Sequence, residues 1–523
     1  MSDIIQNLKA IVGEDNLLTD ELSRQLYVTD VFTRGPAALA VVRPTSTEQL
    51  AAVVKAAVDA DIPVVPRGGG MSYTSGYVPK YENSILLDTS MMNKVVEINT
   101  DDMFVTVQAG CTWQDLHNAL KDTGFRTPFW GTLSGVYATV GGGLSQNCIF
   151  WGSALYGPSA DSVVSMSIVL ADGSVLDTGS AAHKNGTPWY RHFGPDLTGL
   201  FVGDCGALGF KATVTLKLIP QTPARRGLSF AAETGDQLLA FASEVSRQQL
   251  ATEVCGFDPF LQGQRLKRES LAKDFKALGG VMKAAGGFGK ALKAGAKVAL
   301  AGRGYMKDVK FSIHTLVEER YDELAAIKEK AIRELAKEHG LREIENSIPT
   351  IMRANPFGPV NSMIGPEAER WLPVHCVAPH SKVRDVFKAI GELYEQHAED
   401  IEKYEIGCGY LFATIGNSVT VIEPVFFWPE ALNELHKHAV EKEHLSKLKE
   451  HDPNPDATAK VYELRKGLIE IFTRFGTMHM QLGKSYPYHE QVKPEALRLV
   501  EAIKQQVDPK GLLNPGTLGL EAK

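Results

Sequence analysis

Three glycine clusters hold the residues of this chain best suited to chemistry. The first, Arg67-Gly68-Gly69-Gly70-Met71-Ser72-Tyr73-Thr74, follows directly on the apolar run Ile62 to Val65. Successive glycines let a backbone approach a diphosphate closely and aim several N–H groups at it, forming an anion nest. Ser72 and Thr74 add hydroxyl donors. The spacing is neither GxGxxG nor GxxxxGK[ST], so it indicates neither a Rossmann nicotinamide site nor a Walker-type loop. The second cluster is Thr139-Val140-Gly141-Gly142-Gly143-Leu144-Ser145, and the third is Gly203-Asp204-Cys205-Gly206-Ala207-Leu208-Gly209-Phe210. Each alone reads as a tight turn. Together they suggest a long, extended dinucleotide lying along one fold.

The elements that must position these loops alternate between strand and helix. Ala40 to Val42 reads as a strand, and Thr45 with Glu48 has capping-box spacing ahead of the stripe Leu50, Val53, Val54 and Ala57. Ile62 to Val65, Ile85 to Asp88, Val95 to Ile98 and Val105 to Val107 read as further strands, followed by a capped helix from Thr112 to Lys121. Val164 to Leu170 turns at Ala171-Asp172-Gly173-Ser174 into a returning Val175-Leu176, and Phe210 to Ile219 ends this part ahead of Pro220. Leu228 to Ser243 opens a new strand and helix. Leu316 to Gly340 reads as an amphipathic helix with Leu324, Ile327, Ala331 and Leu335 on one face. Val360 to Val377 and Gly407 to Phe427 read as strands of one sheet, and Pro494 to Val507 as a last helix. The class is α+β.

With 523 residues the chain exceeds what one hydrophobic core supports. Apolar residues at 44% and charged residues at 22% are ordinary for globular domains, and a net charge of −7 gives no drive toward nucleic acid. The N-terminus shows no secretory signal, and no apolar run approaches the ~20 residues of a spanning helix. Six scattered cysteines without a CxxC pair suit a reducing cytoplasm. From 265 to 310 twelve Lys or Arg face three acids, with Lys276, Lys283, Lys290 and Lys297 seven apart beside a Leu/Phe stripe. That segment reads as a solvated face or lid, or as a peripheral membrane or redox-partner contact.

Pro66 to Pro79 resembles the flavin diphosphate loop of the vanillyl-alcohol oxidase/p-cresol methylhydroxylase flavoprotein superfamily. The likeness is nearest to its D-lactate dehydrogenase and glycolate oxidase type, PRGGGxSxTGGxVP. Ile85-Leu86-Leu87-Asp88, Met92-Asn93-Lys94-Val95, the run Val105 to Gly110, and Asp172-Gly173 fit the same pattern. Gly194-Pro195-Asp196-Leu197-Thr198-Gly199-Leu200-Phe201 is instead similar to the aryl-alcohol oxidase branch, and Asp508 to Gly516 resembles the DPxGxLNPG tail that returns to the flavin. The resemblance implies a two-subdomain FAD-binding domain over 1–225. A cap over 226–485, an antiparallel sheet flanked by helices, would hold the substrate, and 486–523 would return to the first domain. It implies FAD contacts from Arg67, Gly68, Gly69, Gly70, Met71, Ser72, Tyr73, Thr139, Gly142, Gly143, Ser145, Gly206, Gly209, Phe210 and Asn514.

The chain also departs from the family. Met71 stands where berberine-bridge-type enzymes carry a flavin-linking histidine, which excludes a histidyl bond there. Leu411 to Thr420 stands where metal-assisted 2-hydroxy-acid dehydrogenases carry HxGDGNxH, and both histidines are missing, so no metal is expected. Met478-His479-Met480-Gln481-Leu482-Gly483-Lys484 replaces the EHGxG motif. His479 still falls in the family's C-terminal active-site segment, which makes it the first choice for acid/base work on a hydroxyl. His375 is the second, followed by Tyr410 and Arg353, the latter able to grip a carboxylate bidentately.

The resemblance thus implies an FAD enzyme oxidising a C–OH centre by hydride transfer, with a 2-hydroxy acid such as D-lactate or glycolate as substrate. Oxygen, a quinone or a cytochrome would accept the electrons, and a homodimer is compatible. The alternatives are an aryl- or phenolic-alcohol oxidase, an alkyl-glycerone-phosphate-synthase-like enzyme, and a non-catalytic flavin-binding electron carrier.

Overall fold

The computed structural model describes residues 2–267 and 308–522. Most of the basic stretch read from 265 to 310 therefore lies outside the described residues. Short apolar runs, buried on both faces except in the half-buried first strand, form a four-stranded sheet, with Leu17–Leu18 (β1), Ala40–Val42 (β2), Val64–Arg67 (β3) and Ile85–Asp88 (β4) in the order β1-β2-β4-β3. β2 and β3 run parallel to β4. The helix Thr47–Asp59 links β2 to β3 and buries Leu50, Val53, Val54 and Ala57. Its cap is Ser46 rather than Thr45. The Ser46 hydroxyl accepts from the Gln49 N–H, while the N–H and hydroxyl of Thr45 both reach Gln49 Oε1 at 2.9 Å.

A second, antiparallel sheet joins Val95–Asn99 (β5), Phe104–Gln108 (β6), Val163–Val169 (β8), Val175–Asp177 (β9) and Phe210–Lys217 (β10) in the order β5-β6-β10-β8-β9. Phe125–Arg126 (β7) pairs with Ile219–Pro220 (β11) beside it. The first glycine loop leaves the end of β3, the second opens the short helix Val140–Ser145, and the third runs into β10.

The third sheet is larger and also antiparallel. Ala224–Ala232 (β12), Glu253–Phe257 (β13), Phe311–Glu319 (β14), Arg342–Glu343 (β15), Arg370–Pro373 (β16), Gly407–Ile415 (β18) and Val419–Trp428 (β19) follow the order β15-β12-β14-β13-β18-β19-β16. Cys376–Pro379 (β17) also pairs with β19. Helices Gly235–Arg247, Asp322–Glu338, Val383–Gln396 and Pro455–Phe475 cover one face and share a core with it around Leu238, Ile332, Val386 and Leu468.

Three local expectations shift. Within 360–377, read as strand, Val360–Met363 is a short 3-10 helix and only β16 and the start of β17 are strand. Residues 316–319 belong to β14, because Leu316 and Val317 pair with β12, and the helix starts only at Asp322. Its buried face is Ala325, Ile332, Leu335 and Ala336, while Leu324 and Ile327 are exposed. All six cysteines are free thiols, and among the described residues no helix is long and apolar enough to cross a membrane.

Candidate functional site

A cavity runs from the three glycine clusters to the uncovered face of the large sheet. Arg67 to Tyr73, Thr139, Gly142, Gly143, Ser145, Gly206, Gly209 and Phe210 all line it. The three clusters abut. A Cβ on Gly68 would run into the Thr139 hydroxyl, and one on Gly206 would come within 2.6 Å of Pro66 Cγ. Gly69 has its α-carbon against the Tyr137 carbonyl, where any side chain would collide, and Gly70 sits at φ 71. The backbone N–H groups of Gly69 through Tyr73 donate to no other described residue. Five successive donors left open at a cavity wall are what an anionic oxygen cluster needs.

Asn514 does not line the cavity. It is wholly buried beneath the loops, where its Nδ2 donates to the carbonyls of Gly76 and Cys205 and its Oδ1 accepts from Lys484 Nζ at 2.7 Å. The chain's last residues reach it along β3, with Val64 hydrogen-bonded to both Leu512 and Asn514.

The opposite wall comes from the large sheet. Strand alternation turns Leu411 and Ala413 of β18 and Val421, Glu423, Val425 and Phe427 of β19 toward the cavity. Tyr410 and Phe412 point the other way, into the helix layer with Phe387 and Tyr394. His375 emerges between β16 and β17, and its Nε2 lies 2.9 Å from Glu423 Oε2 and 2.9 Å from the Tyr73 hydroxyl. Gln481 Nε2 donates to the same hydroxyl at 3.1 Å. Burial, with the Glu423 carboxylate nearby, holds the Tyr73 phenol well above its usual pKa, so it stays a neutral donor. Tyr73 belongs to the first glycine loop, so this cluster joins the two walls.

The remaining candidates sit elsewhere. His479 packs behind His375 rather than in the cavity. Its ring stacks on Tyr486 at 4.1 Å, its Nδ1–H donates to the His375 carbonyl at 3.1 Å, and burial pulls its pKa down to about 4. Arg353 does grip a carboxylate, but that carboxylate is Glu318, at 2.8 Å, with the Trp130 ring against its guanidinium. Glu423, Gln481, Trp371, Gln264 and Arg265 line the cavity without having been singled out from sequence. Glu423 left a signal, since a lone carboxylate inside an apolar strand such as VTVIEPVFFW needs a partner or a task. Among the described residues, no group of three or more His, Cys, Asp and Glu could hold a metal ion.

Residues 38–179 match the family described as FAD binding domain. They are an FAD-binding domain. The open N–H run of Gly69 to Tyr73 fits the diphosphate of that cofactor, and the cap sheet faces it across the cavity. The chain is 34% identical over 229 residues to the uncharacterized FAD-linked oxidoreductase YgcU of Escherichia coli (strain K12), covering 42% of this chain and 46% of that protein. It is 31% identical over 262 residues to a mitochondrial D-lactate dehydrogenase [cytochrome] of Arabidopsis thaliana, 48% and 44% of the two chains. The chain thus spans about half the length of the curated relatives it matches. The structure of p-cresol methylhydroxylase with substrate bound superposes with a TM-score of 0.73 at 17% identity, over 99% of this chain and 97% of that one. The FAD-binding domain with its cap therefore has the p-cresol methylhydroxylase type of fold.

Proposed function

We propose that the chain is an FAD-dependent oxidoreductase that converts a C–OH centre to a carbonyl, with a 2-hydroxy acid as substrate. The observation that carries this reading is the Tyr73–His375–Glu423 cluster at the meeting of flavin loop and cap sheet. When bound, the flavin supplies the hydride acceptor. The chain's own residues handle the proton. The His375–Glu423 pair takes the hydroxyl proton as the C–H bond gives up its hydride, so a hydride and a proton, together two electrons and two protons, leave and a C=O forms. Tyr73, held by Gln481, donates its O–H toward the substrate oxygen and orients it. The apolar wall of Leu411, Val425 and Phe427 excludes water from the reacting face. The named activity of the Arabidopsis relative supports the hydroxy-acid choice.

The aromatic lining from Trp371 and Phe427 favours a second reading, oxidation of an aryl alcohol. Anaerobic bleaching of the flavin by D-lactate, glycolate and vanillyl alcohol separates the two. Bleaching by a hydroxy acid is the expected result, and bleaching by none of them nor by a larger 2-hydroxy acid such as 2-hydroxy-3-phenylpropanoate would sink the C–OH oxidation reading.

A further inference from the structure

The same cavity holds a second charged group that the proton-handling pair does not use. Arg265, in the last turn of the helix Pro259–Lys267, lines it with the guanidinium over the Phe257 ring, 3.9 Å from the centroid. Nothing among the described residues forms an ion pair with it; the Glu423 carboxylate acts on it only through space. Beside it, Gln264 is buried, faces the cavity, and its Oε1 has no hydrogen-bond donor among the described residues. A half-buried guanidinium without an anion and a buried amide oxygen without a donor are both costly. A ligand carboxylate satisfies the guanidinium, whose planar fork matches it geometrically. The surroundings are otherwise apolar, with Leu261, Trp371, Leu411, Val425 and Phe427 around the same space. A methyl group would leave much of that surface unfilled.

We propose that Arg265 is the carboxylate-recognising residue of this cavity and that the substrate is a 2-hydroxy acid with a large apolar side chain. This rests on the oxidation proposed above. Its product is the matching 2-oxo acid, the carbon losing a hydride to the flavin and the hydroxyl its proton to His375–Glu423.

The test uses flavin-loaded full-length enzyme and its Arg265→Met, Arg265→Lys and Gln264→Leu variants, each checked for flavin content and melting temperature. Titration with 2-oxo-3-phenylpropanoate and with 2-oxopropanoate, read by the flavin spectrum, gives binding without turnover. The phenyl acid should bind ~10-fold or more tightly than the smaller one, as apolar contacts of this size allow. Arg265→Met should weaken binding by ~10²-fold or more and Arg265→Lys less, while Gln264→Leu should change it only a few-fold, since a 2-oxo acid brings no donor for the Gln264 oxygen. Equal affinity in wild type and a folded Arg265→Met variant overturns the proposal, as does a preference for the smaller acid. So does equal flavin reduction by 2-hydroxy-3-phenylpropanoate and by 3-phenylpropane-1,2-diol, which lacks the carboxylate. If the 2-oxo acids bind through Arg265 but no hydroxy acid reduces the flavin, the carboxylate site stands and the oxidation reading fails. If hydroxy acids reduce wild type and Arg265→Met alike, the oxidation reading stands and the carboxylate site fails.

Discussion

At the scale of single residues, two buried histidines with adjoining backbones take opposite parts. His375 faces the cavity with Tyr73 and Glu423, whereas His479 fills space behind it against Tyr486. His375→Ala and Glu423→Gln should retain FAD yet slow anaerobic flavin reduction by ~10²–10⁴-fold, the span of a lost acid/base group. Reduction at the wild-type rate in either flavin-loaded variant would remove that residue from the mechanism. His479→Gln belongs to stability instead. The folded protein holds this imidazole neutral, with a pKa of about 4, while the unfolded chain takes up its proton near ~6.5. Between those values the unfolded state binds more protons, so stability falls as pH drops through that window. The slope is at most ~1.4 kcal/mol per pH unit for one such group. Melting curves from pH 6.5 to 4.5 should be shallower for His479→Gln than for wild type. Parallel slopes would show that the histidine is not held neutral.

At the scale of elements, the strand-to-loop transition after β3 carries the open donors that fit a diphosphate. Gly69 has the Tyr137 carbonyl where a side chain would go, and the N–H groups from Gly69 to Tyr73 stay open for a ligand. Gly69→Val should emerge without flavin, because a β-branched side chain must push the loop off the Tyr137 carbonyl. Absorbance near the flavin bands after purification checks this, and full flavin retention would count against the loop as the diphosphate cradle. On the facing wall, β18 and β19 obey a period of two, which delivers Glu423 to the cavity and Tyr410 to the helix layer from neighbouring strands. Tyr410→Phe should therefore leave the rate of flavin reduction within a few-fold of wild type, and a ~10²-fold loss would return it to the chemistry.

Across the whole molecule, a buried charge cluster ties the FAD-binding domain to the cap sheet. Glu318 of β14 meets Arg353 at 2.8 Å, Arg225 at 3.2 Å and Arg126 of β7 at 3.4 Å. Burial works to raise the Glu318 pKa, and the three guanidiniums overcome it, keeping the carboxylate below its usual range. Removing that one negative charge leaves Arg353 and Arg126 without an ion-pair partner in low dielectric, while the half-exposed Arg225 keeps water. Glu318→Gln should destabilise the protein by ~3–5 kcal/mol, as breaking buried ion pairs does. Denaturant unfolding measures it, and a loss under ~1 kcal/mol would show the cluster to be well solvated. The tail adds a second tie, where Asn514 clamps the Gly76 and Cys205 carbonyls from below the flavin loops.

Local physics wrote much of this into the sequence. Glycine runs after apolar segments mark backbone that must approach a ligand, and β4 and the helix Pro494–Val507 occupy the residues their apolar patterns and flanking breakers predict. The capping of Thr112 and the turn at Asp172-Gly173 follow likewise from side chains acting on their own neighbours. The tertiary structure decided the rest, because those choices depend on partners distant in sequence. β18 is apolar on both faces, so its periodicity cannot say which face lines a cavity. The helix Asp322–Glu338 carries two apolar stripes, and only packing against β12 and β14 selects one of them. His375, Glu423, Tyr73 and Arg265 come from four separate segments, and no spacing along the chain encodes their meeting. Arg353 and His479 have the right chemistry for a site, but Glu318 and Tyr486 had already engaged them.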